Sequence, residues 1–365
     1  MKPRILMVGP YPPPFGGLGN NMSLLLNSDL SRRYDLDLLR TSKHVKHVKV
    51  SQADAWSGPY LVWNSLRMID RLIRRRPRLV YVKATSDTGF VRDAALMALA
   101  RMFGLKVVCH LHGRPMGRLF AETGFWPRQV ARAMRMASVT VVLSPGLKTI
   151  FSRMFPGQPI EVLPNVVDIS KIAPPPARNG SGPVRILFVG RLSRDKGAFD
   201  ILEIAGRLMA TDPDFRIDLV GIAETEAEEK EIRRRTAELG LADHLVFHGY
   251  RSGAEKATLF ANADIFLLPT YAEIFPNVVL EAMAAGLPVV TTDVPVIPEM
   301  VTENVHGHLR KPGDIDGFVE ALRLLVRDPE RRRAMGAHNR TEAETRYDVP
   351  VAVTTLSTIF DRVMS

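Results

Sequence analysis

The feature that most narrows what this chain can fold into is a pattern that runs through it twice: short, apolar, β-rich runs separated by stretches of helical periodicity. In the first half the runs fall at 4–9, 34–40, 79–84, 106–113, 138–144 and 160–164. The helical patterns lie near 20–31, 61–75, 88–103, 126–136 and 146–155. Strands this apolar need cover on both faces, which a parallel sheet with crossover helices supplies. The pattern stops at 172–183, where Pro174, Pro175, Pro176, Gly180 and Gly182 leave neither a helix nor a ladder available. It restarts with runs at 184–189, 216–220, 244–248, 264–269, 288–292 and 307–310, and ends in a helical pattern over 349–364. Two doubly wound, Rossmann-like α/β domains are expected, over 1–170 and 184–345, with a linker at 171–183 and a last helix within 346–365 that packs back on the first domain. In such sheets ligands bind beyond the carboxyl ends of the strands, so the site is expected where the two domains face across a cleft.

Length agrees with two domains: 365 residues exceed the roughly 250–300 at which a single core stops growing. With 46% hydrophobic and 24% charged residues, the chain is neither disordered nor fibrous. Cys109 is the one cysteine, so no internal disulfide forms, and a reducing compartment is expected. The apolar start is broken too soon for a signal peptide. The uncharged stretch from Ile5 to Ser28 holds Pro10, Pro12, Pro13, Pro14, Gly16, Gly17 and Gly19, which no spanning helix tolerates together. A cytoplasmic location follows as an expectation. The net charge of +10 is unevenly spread. Residues 1–168 hold 25 basic and 10 acidic side chains, and the remainder holds 24 and 29. An anionic surface met by the first domain alone is implied: phospholipid headgroups, a phosphorylated acceptor or nucleic acid.

The densest motif runs from Tyr271 to Pro288. It follows a strand, opens a helix near Pro276 or Asn277, and closes at Gly286 with a proline two residues on. Free N–H groups at about Asn277 and Val278 make an anion site suited to a diphosphate. Glu273 precedes that terminus and Glu281 lies one turn inside it. They suit hydroxyl recognition, or else are a capping carboxylate and a surface glutamate. A second motif, Gly190-Arg191-Leu192-Ser193-Arg194-Asp195-Lys196-Gly197, ends the first strand after the linker. Its glycines bracket a turn that lets Arg191 and Lys196 converge on phosphate oxygens, the alternative being solvated basic residues. No GxxxxGK[ST] loop occurs.

In the first domain, Gly16, Gly17 and Gly19 follow the first strand and allow close backbone approach to a ligand. They superficially start a dinucleotide fingerprint, but Met22 stands where the third glycine belongs. His110 and His112 alternate onto one strand face. A metal pair is conceivable there, yet no third ligand has suitable spacing, so His112 is read as a polar group at the cleft rim and no metal is expected. Asp35-Leu36-Asp37 resembles a metal-binding Asp-x-Asp but lies inside a strand, where a solvated edge explains it.

Glu273 and Glu281 with seven residues between, Gly190-Arg191 with Lys196-Gly197, Pro164-Asn165-Val166-Val167-Asp168, Gly16-Gly17 and His112-Gly113 occur in an order that resembles the retaining, nucleotide-sugar-dependent glycosyltransferases of family four, with the GT-B fold. The resemblance spans nearly the whole chain. It implies that Arg191 and Lys196 neutralise the diphosphate, Glu281 binds the ribose and Glu273 contacts sugar hydroxyls. Gly190 shapes the phosphate turn, and the backbone of Ile274, Phe275, Pro276, Asn277 and Val278 meets sugar and phosphate. Tyr250 lies near the base, His112 reaches the sugar, and Gly16 and Gly17 approach the phosphate. Ile274 and Val166 stand where glycine is frequent in the family, and a branched side chain at 274 narrows the sugar pocket.

The function expected from this resemblance is retaining transfer of a hexose from a UDP- or GDP-sugar to a hydroxyl of a lipid-linked or phosphorylated acceptor, by front-face attack and without metal or other cofactor. Domain closure would exclude water. Arg71, Arg74, Arg75, Arg76, Arg78, Lys43, Lys46, Lys49, Arg114, Arg118, Arg128, Arg132 and Arg135 would draw the first domain to an anionic membrane at its inner face. No nucleic-acid platform or motif is present, so no such partner is expected. A nucleotide-sugar epimerase on the same fold and a non-catalytic nucleotide-sugar binder remain open at this point.

Overall fold

The computed structural model describes residues 2–13, 16–42, 57–85, 89–113, 125–173 and 182–365. The chain divides into two compact units, residues 1–166 with 349–365, and residues 167–348. Of the expected linker, 174–181 lies outside the described residues, as do Lys43, Lys46, Lys49, Arg114 and Arg118.

The first unit holds β1 (Arg4–Gly9), β2 (Asp35–Arg40), β3 (Leu79–Thr85), β4 (Lys106–His112), β5 (Val139–Val142) and β6 (Ile160–Val162). They form one sheet in the order β2-β1-β3-β4-β5-β6, every pairing parallel. The order reverses between β1 and β3. On one face Ile5, Met7, Tyr81 and Val108 pack on Met22 and Leu25 of the helix Gly17–Leu26 and on Leu356, Ile359 and Phe360 of the helix Val349–Met364. Tyr34 fixes that last helix twice: its hydroxyl donates to Asp361 Oδ1 at 2.6 Å and its ring meets Phe360 edge-on at 5.6 Å. Each such large side chain contributes about 1.5–3 kcal/mol on burial, which is why the C-terminal helix belongs to this unit. Cys109 is buried in the sheet, and burial raises its thiol pKa.

The second unit holds β7 (Val184–Val189), β8 (Phe215–Val220), β9 (Leu245–Gly249), β10 (Ile265–Leu268), β11 (Val289–Thr292) and β12 (Gly307–Arg310). Its sheet runs β12-β11-β10-β7-β8-β9, again all parallel, and reverses between β7 and β10. Among the described residues, no helix is long and apolar enough to cross a membrane.

Most expected elements shift by one or two residues at their ends. Two helices depart further: the one read over 61–75 begins four residues earlier, at Ser57, and the one read over 20–31 is a helix at Gly17–Leu26 and a separate turn at Leu30–Arg33. Asn27 and Ser28 end the first piece: Asn27 Nδ2 donates to the Ser23 carbonyl at 2.9 Å and Ser28 Oγ to that of Leu25 at 2.6 Å. Such local bonds compete with continuation of the helix. Asp35 and Asp37 sit on the edge strand β2, but neither is merely solvated. Asp35 pairs with Arg4 at 2.6 Å, and Asp37 pairs with Arg71.

Candidate functional site

Doubly wound sheets bind ligands at the carboxyl end of the strands where the order reverses. In the second unit the two strands at that point are β7 and β10. The loop after β7 is 190–197 and the loop after β10 runs from Pro269 to Pro276, so both charged motifs issue from the reversal.

These loops are sewn to each other. Tyr271 N donates to the Asp195 carbonyl at 2.9 Å, and Thr270 Oγ1 lies 3.2 Å from the carbonyls of Asp195 and Ala272. Gly197 makes the approach feasible. It has φ +73°, and a Cβ there would stand 2.0 Å from the Pro269 carbonyl oxygen, so no other residue fits. Tyr271 adds a second seam, donating to Asp200 Oδ2 at 2.8 Å in the helix Ala198–Met209. Burial raises the Asp200 carboxyl pKa, and burial with the Asp200 bond pushes the Tyr271 hydroxyl up to about 12.

On this frame Lys196 Nζ donates to Glu273 Oε1 at 2.7 Å and to the Ala272 carbonyl at 3.1 Å. Both side chains are largely buried, at 18% and 16% exposed. Three residues after Glu273, Pro276 caps the helix Asn277–Ala284 without a side-chain cap bond. Proline has no N–H, so of the five backbone positions at 274–278 it supplies none. An anion here would meet the first turn of the helix, where the Val279 N–H already donates to the Pro276 carbonyl at 3.1 Å. Arg191 takes a different set of partners from Lys196: Asp195 at 3.1 Å and Glu224 at 2.9 Å, with its side chain 42% exposed. The structure thus joins Lys196 to Glu273 and ties Arg191 to two other carboxylates.

Glu281 lies one turn into the helix. Its Oε1 accepts from Lys256 Nζ at 2.6 Å, while its Oε2 is buried with no hydrogen-bond partner among the described residues. Leaving a buried acceptor unmade costs about 1–3 kcal/mol, so this oxygen is an acceptor in want of a donor. Lys256 was not singled out from the sequence, and no signal there marks it. It lies 25 residues from Glu281 on the helix Gly253–Ala261. Asp195 could have been found, since it stands four residues after Arg191 in the same motif. Ile274 is partly exposed and Phe275 is buried against Tyr347 at 6.1 Å, a packing role. Tyr250 follows β9 and is half-exposed. Gly190 N donates to the Val220 carbonyl at 2.9 Å. Behind it Gly221, at φ +149°, leaves only 1.7 Å between a would-be Cβ and the Gly190 carbonyl oxygen.

In the first unit the reversal lies after β1, where Gly16 caps the helix Gly17–Leu26. A Cβ at Gly16 would meet nothing within 4 Å among the described residues. Met22, at the third-glycine position of a dinucleotide fingerprint, is wholly buried in the core. His112 ends β4. It is not at a rim: it is 6% exposed, and its Nε2 is buried without a partner among the described residues. Its ring lies 4.1 Å from that of His110, so the two do share a face. Both nitrogens of His110 are taken, however: Tyr81 Oη lies 2.6 Å from Nδ1 and the Leu163 carbonyl 3.2 Å from Nε2. A carbonyl only accepts, so Nε2 carries the proton and Nδ1 accepts from Tyr81. His110 is therefore no metal ligand, and among the described residues no group of three His, Cys, Asp or Glu is placed to hold a metal. Burial, with Lys83 nearby, holds both imidazoles well below their usual pKa. Lys83, itself fully buried and depressed in pKa by that burial, donates to Asn21 Oδ1 in the helix that Gly16 caps.

Family models match the chain in tandem, Glycosyltransferase Family 4 over residues 25–171 and Glycosyl transferases group 1 over 172–342. The chain belongs to glycosyltransferase family four. Its GT-B fold is that of Anabaena HepE, solved in complex with UDP. That structure superposes with a TM-score of 0.73 at 18% identity, over 98% of this chain and all of the other. Among curated relatives of this glycosyltransferase, the glycogen synthase of Mycobacterium tuberculosis is 28% identical over 387 residues, covering 93% of this chain and 91% of that protein. A phosphatidyl-myo-inositol mannosyltransferase of Mycolicibacterium smegmatis is 32% identical over 206 residues, 55% of this chain and 51% of that one.

Proposed function

We propose that this glycosyltransferase moves a hexose from a UDP- or GDP-sugar to a hydroxyl of a lipid-linked or phosphorylated acceptor, at the inner face of the membrane, with retention of anomeric configuration and without a metal. The observation that carries the reading is the Lys196–Glu273 pair beside the start of the helix Asn277–Ala284, at the point where the second sheet reverses. A cation and a helix N-terminus suit a diphosphate leaving group, and a carboxylate next to them suits sugar hydroxyls. The buried, unpartnered Oε2 of Glu281 supports a ribose hydroxyl donating there. UDP in HepE favours a nucleoside diphosphate, and the mannosyltransferase named above, whose name specifies phosphatidyl-myo-inositol, favours a lipid acceptor.

In this reading the bond from anomeric carbon to diphosphate breaks as the acceptor oxygen bonds to the same face of that carbon. The acceptor proton passes to the departing phosphate oxygen. Lys196, Arg191 and the helix N–H groups hold the charge that develops, each donor contributing about 3–4 kcal/mol when its aim is preorganised. Arg191 reaches the phosphates by giving up Asp195 or Glu224, both surface pairs of little strength.

The test is nucleoside diphosphate release from a panel of nucleotide sugars, with polar lipid extract or sugar phosphates as acceptors and with chelator added. Acceptor-dependent release that survives chelation, and an axial product from an axial donor, support the reading. Donor consumption that needs no acceptor and yields a second nucleotide sugar or a free epimer sinks it.

A further inference from the structure

The helix Ser57–Arg75 of the first unit carries an apolar ridge on the side away from its buried face. Asn64, Met68 and Leu72, four residues apart, turn inward and are buried. Val62, Leu66 and Ile73, at i, i+4 and i+11, turn outward with Trp63 beside them, and each is 57–59% exposed. These four are among fourteen large hydrophobic side chains that the described residues leave exposed, and no other helix or strand holds more than two. A helix that merely covers a sheet shows polar residues on that side. The outward ridge is bordered by cations. Arg67 and Arg74 flank it, and Arg75, Arg76 and Arg78 gather where the helix ends. Arg74 pairs with Asp70, whereas Arg67, Arg75, Arg76 and Arg78 have no carboxylate partner among the described residues.

We propose that the ridge of Val62, Trp63, Leu66 and Ile73, with the guanidiniums of Arg67, Arg75, Arg76 and Arg78, lays this helix in plane at the headgroup boundary of a bilayer rich in anionic lipid. This rests on the reading above that the acceptor lies at a membrane. The helix is 19 residues long, about 28 Å, but Arg67, Asp70, Arg71, Arg74 and Arg75 along it bar it from crossing. Lying flat, it sinks the aliphatic and indole groups into the interface while the arginines reach phosphate oxygens. Charge separates this occupant from a second copy of the chain. Across a two-fold contact the same unpaired arginines would face each other, whereas an anionic leaflet complements them.

The test uses the full chain and vesicles of phosphatidylcholine with or without phosphatidylglycerol. Two variants are compared with the wild type: Trp63→Ser with Leu66→Asp, and Arg75→Glu with Arg76→Glu. All four positions are exposed, so folding should persist, and an unchanged circular dichroism spectrum and melting curve of the full chain verify it. The wild type is expected to sediment with phosphatidylglycerol vesicles, and each double variant to bind at least tenfold more weakly. With Trp56 and Trp126 replaced by phenylalanine, Trp63 emission is expected to shift to the blue on adding those vesicles. Wild-type binding that both variants retain removes this helix as the seat and leaves the membrane reading standing. A wild type that binds neither vesicle overturns both, while its activity on a soluble phosphorylated acceptor keeps the transferase reading. A ridge variant that instead abolishes self-association in light scattering assigns the face to a second copy and overturns the proposal.

Discussion

Lys196→Ala is the sharpest perturbation of the site, because the lysine is largely buried and its partners are known. Its ammonium is held by Glu273 at 2.7 Å and by the Ala272 carbonyl at 3.1 Å, so it is fixed before any ligand arrives. A hydrogen bond to a charged group contributes about 1.5–3 kcal/mol, and each 1.4 kcal/mol is a factor of ten, so losing one phosphate contact weakens donor binding roughly 10- to 150-fold. At a ligand concentration 100 times Kd, the wild type gains about 2.7 kcal/mol from binding. A 30-fold weaker variant at that concentration gains only about 0.9 kcal/mol by the same relation. For a unit of this size that turns a shift of roughly 5–11 °C into one of roughly 2–4 °C. Differential scanning fluorimetry with UDP, GDP and their sugars reads it directly. Glu273→Gln provides the control: it removes the counter-ion but not the lysine, so the shift with UDP should persist while the extra shift from the sugar falls. Equal shifts for Lys196→Ala and the wild type would falsify the assignment of Lys196 to the diphosphate.

Three further outcomes are expected. Glu281→Gln should weaken nucleotide binding about tenfold in calorimetry, because an amide oxygen is a poorer acceptor for a ribose hydroxyl than the free Oε2; unchanged affinity for nucleotide and deoxynucleotide alike would reject that role. Gly197→Ala should cost at least about 2 kcal/mol in urea unfolding, since its Cβ collides with the Pro269 carbonyl at a left-handed φ, and a cost under half a kcal/mol would mean the turn is not needed. For pH, both His110 and His112 have folded pKa values depressed by burial, so they stay neutral in the folded chain and take up protons on unfolding below about pH 6.5. Stability of the first unit should therefore fall as pH drops from 6.5 toward 5, by up to about 1.4 kcal/mol per unit for each histidine. Asparagine at both positions should flatten that slope, and a slope that persists undiminished refutes the assignment.

The alternation of apolar runs and helical patterns was enough to place all twelve strands within one or two residues, because a parallel sheet covered on both sides writes its strands as continuous Val, Ile and Leu. Turn chemistry carried the loops: Gly197 could be seen as special, since only glycine serves where a backbone must pass so close to Pro269. What stayed hidden were partners brought together by the fold. Nothing in the sequence joins Lys256 to Glu281, Glu224 to Arg191 or Lys83 to Asn21, because these pairs meet between elements and loops distant in the chain. Burial was equally illegible. His112 looked like a rim group because it ends a strand, yet it is buried, with its ring 4.1 Å from that of His110. The outward apolar ridge on the helix Ser57–Arg75 was also unseen, since periodicity marks a helix without saying which face the sheet takes.

Backbone amide exchange on adding UDP or GDP probes the central assignment most directly, because it reports where a nucleoside diphosphate lands without any substitution. Slowed exchange confined to peptides covering 190–197 and 270–281 is the result the account predicts. Slowed exchange elsewhere alone, with those two segments unaffected by every nucleotide at saturation, contradicts it.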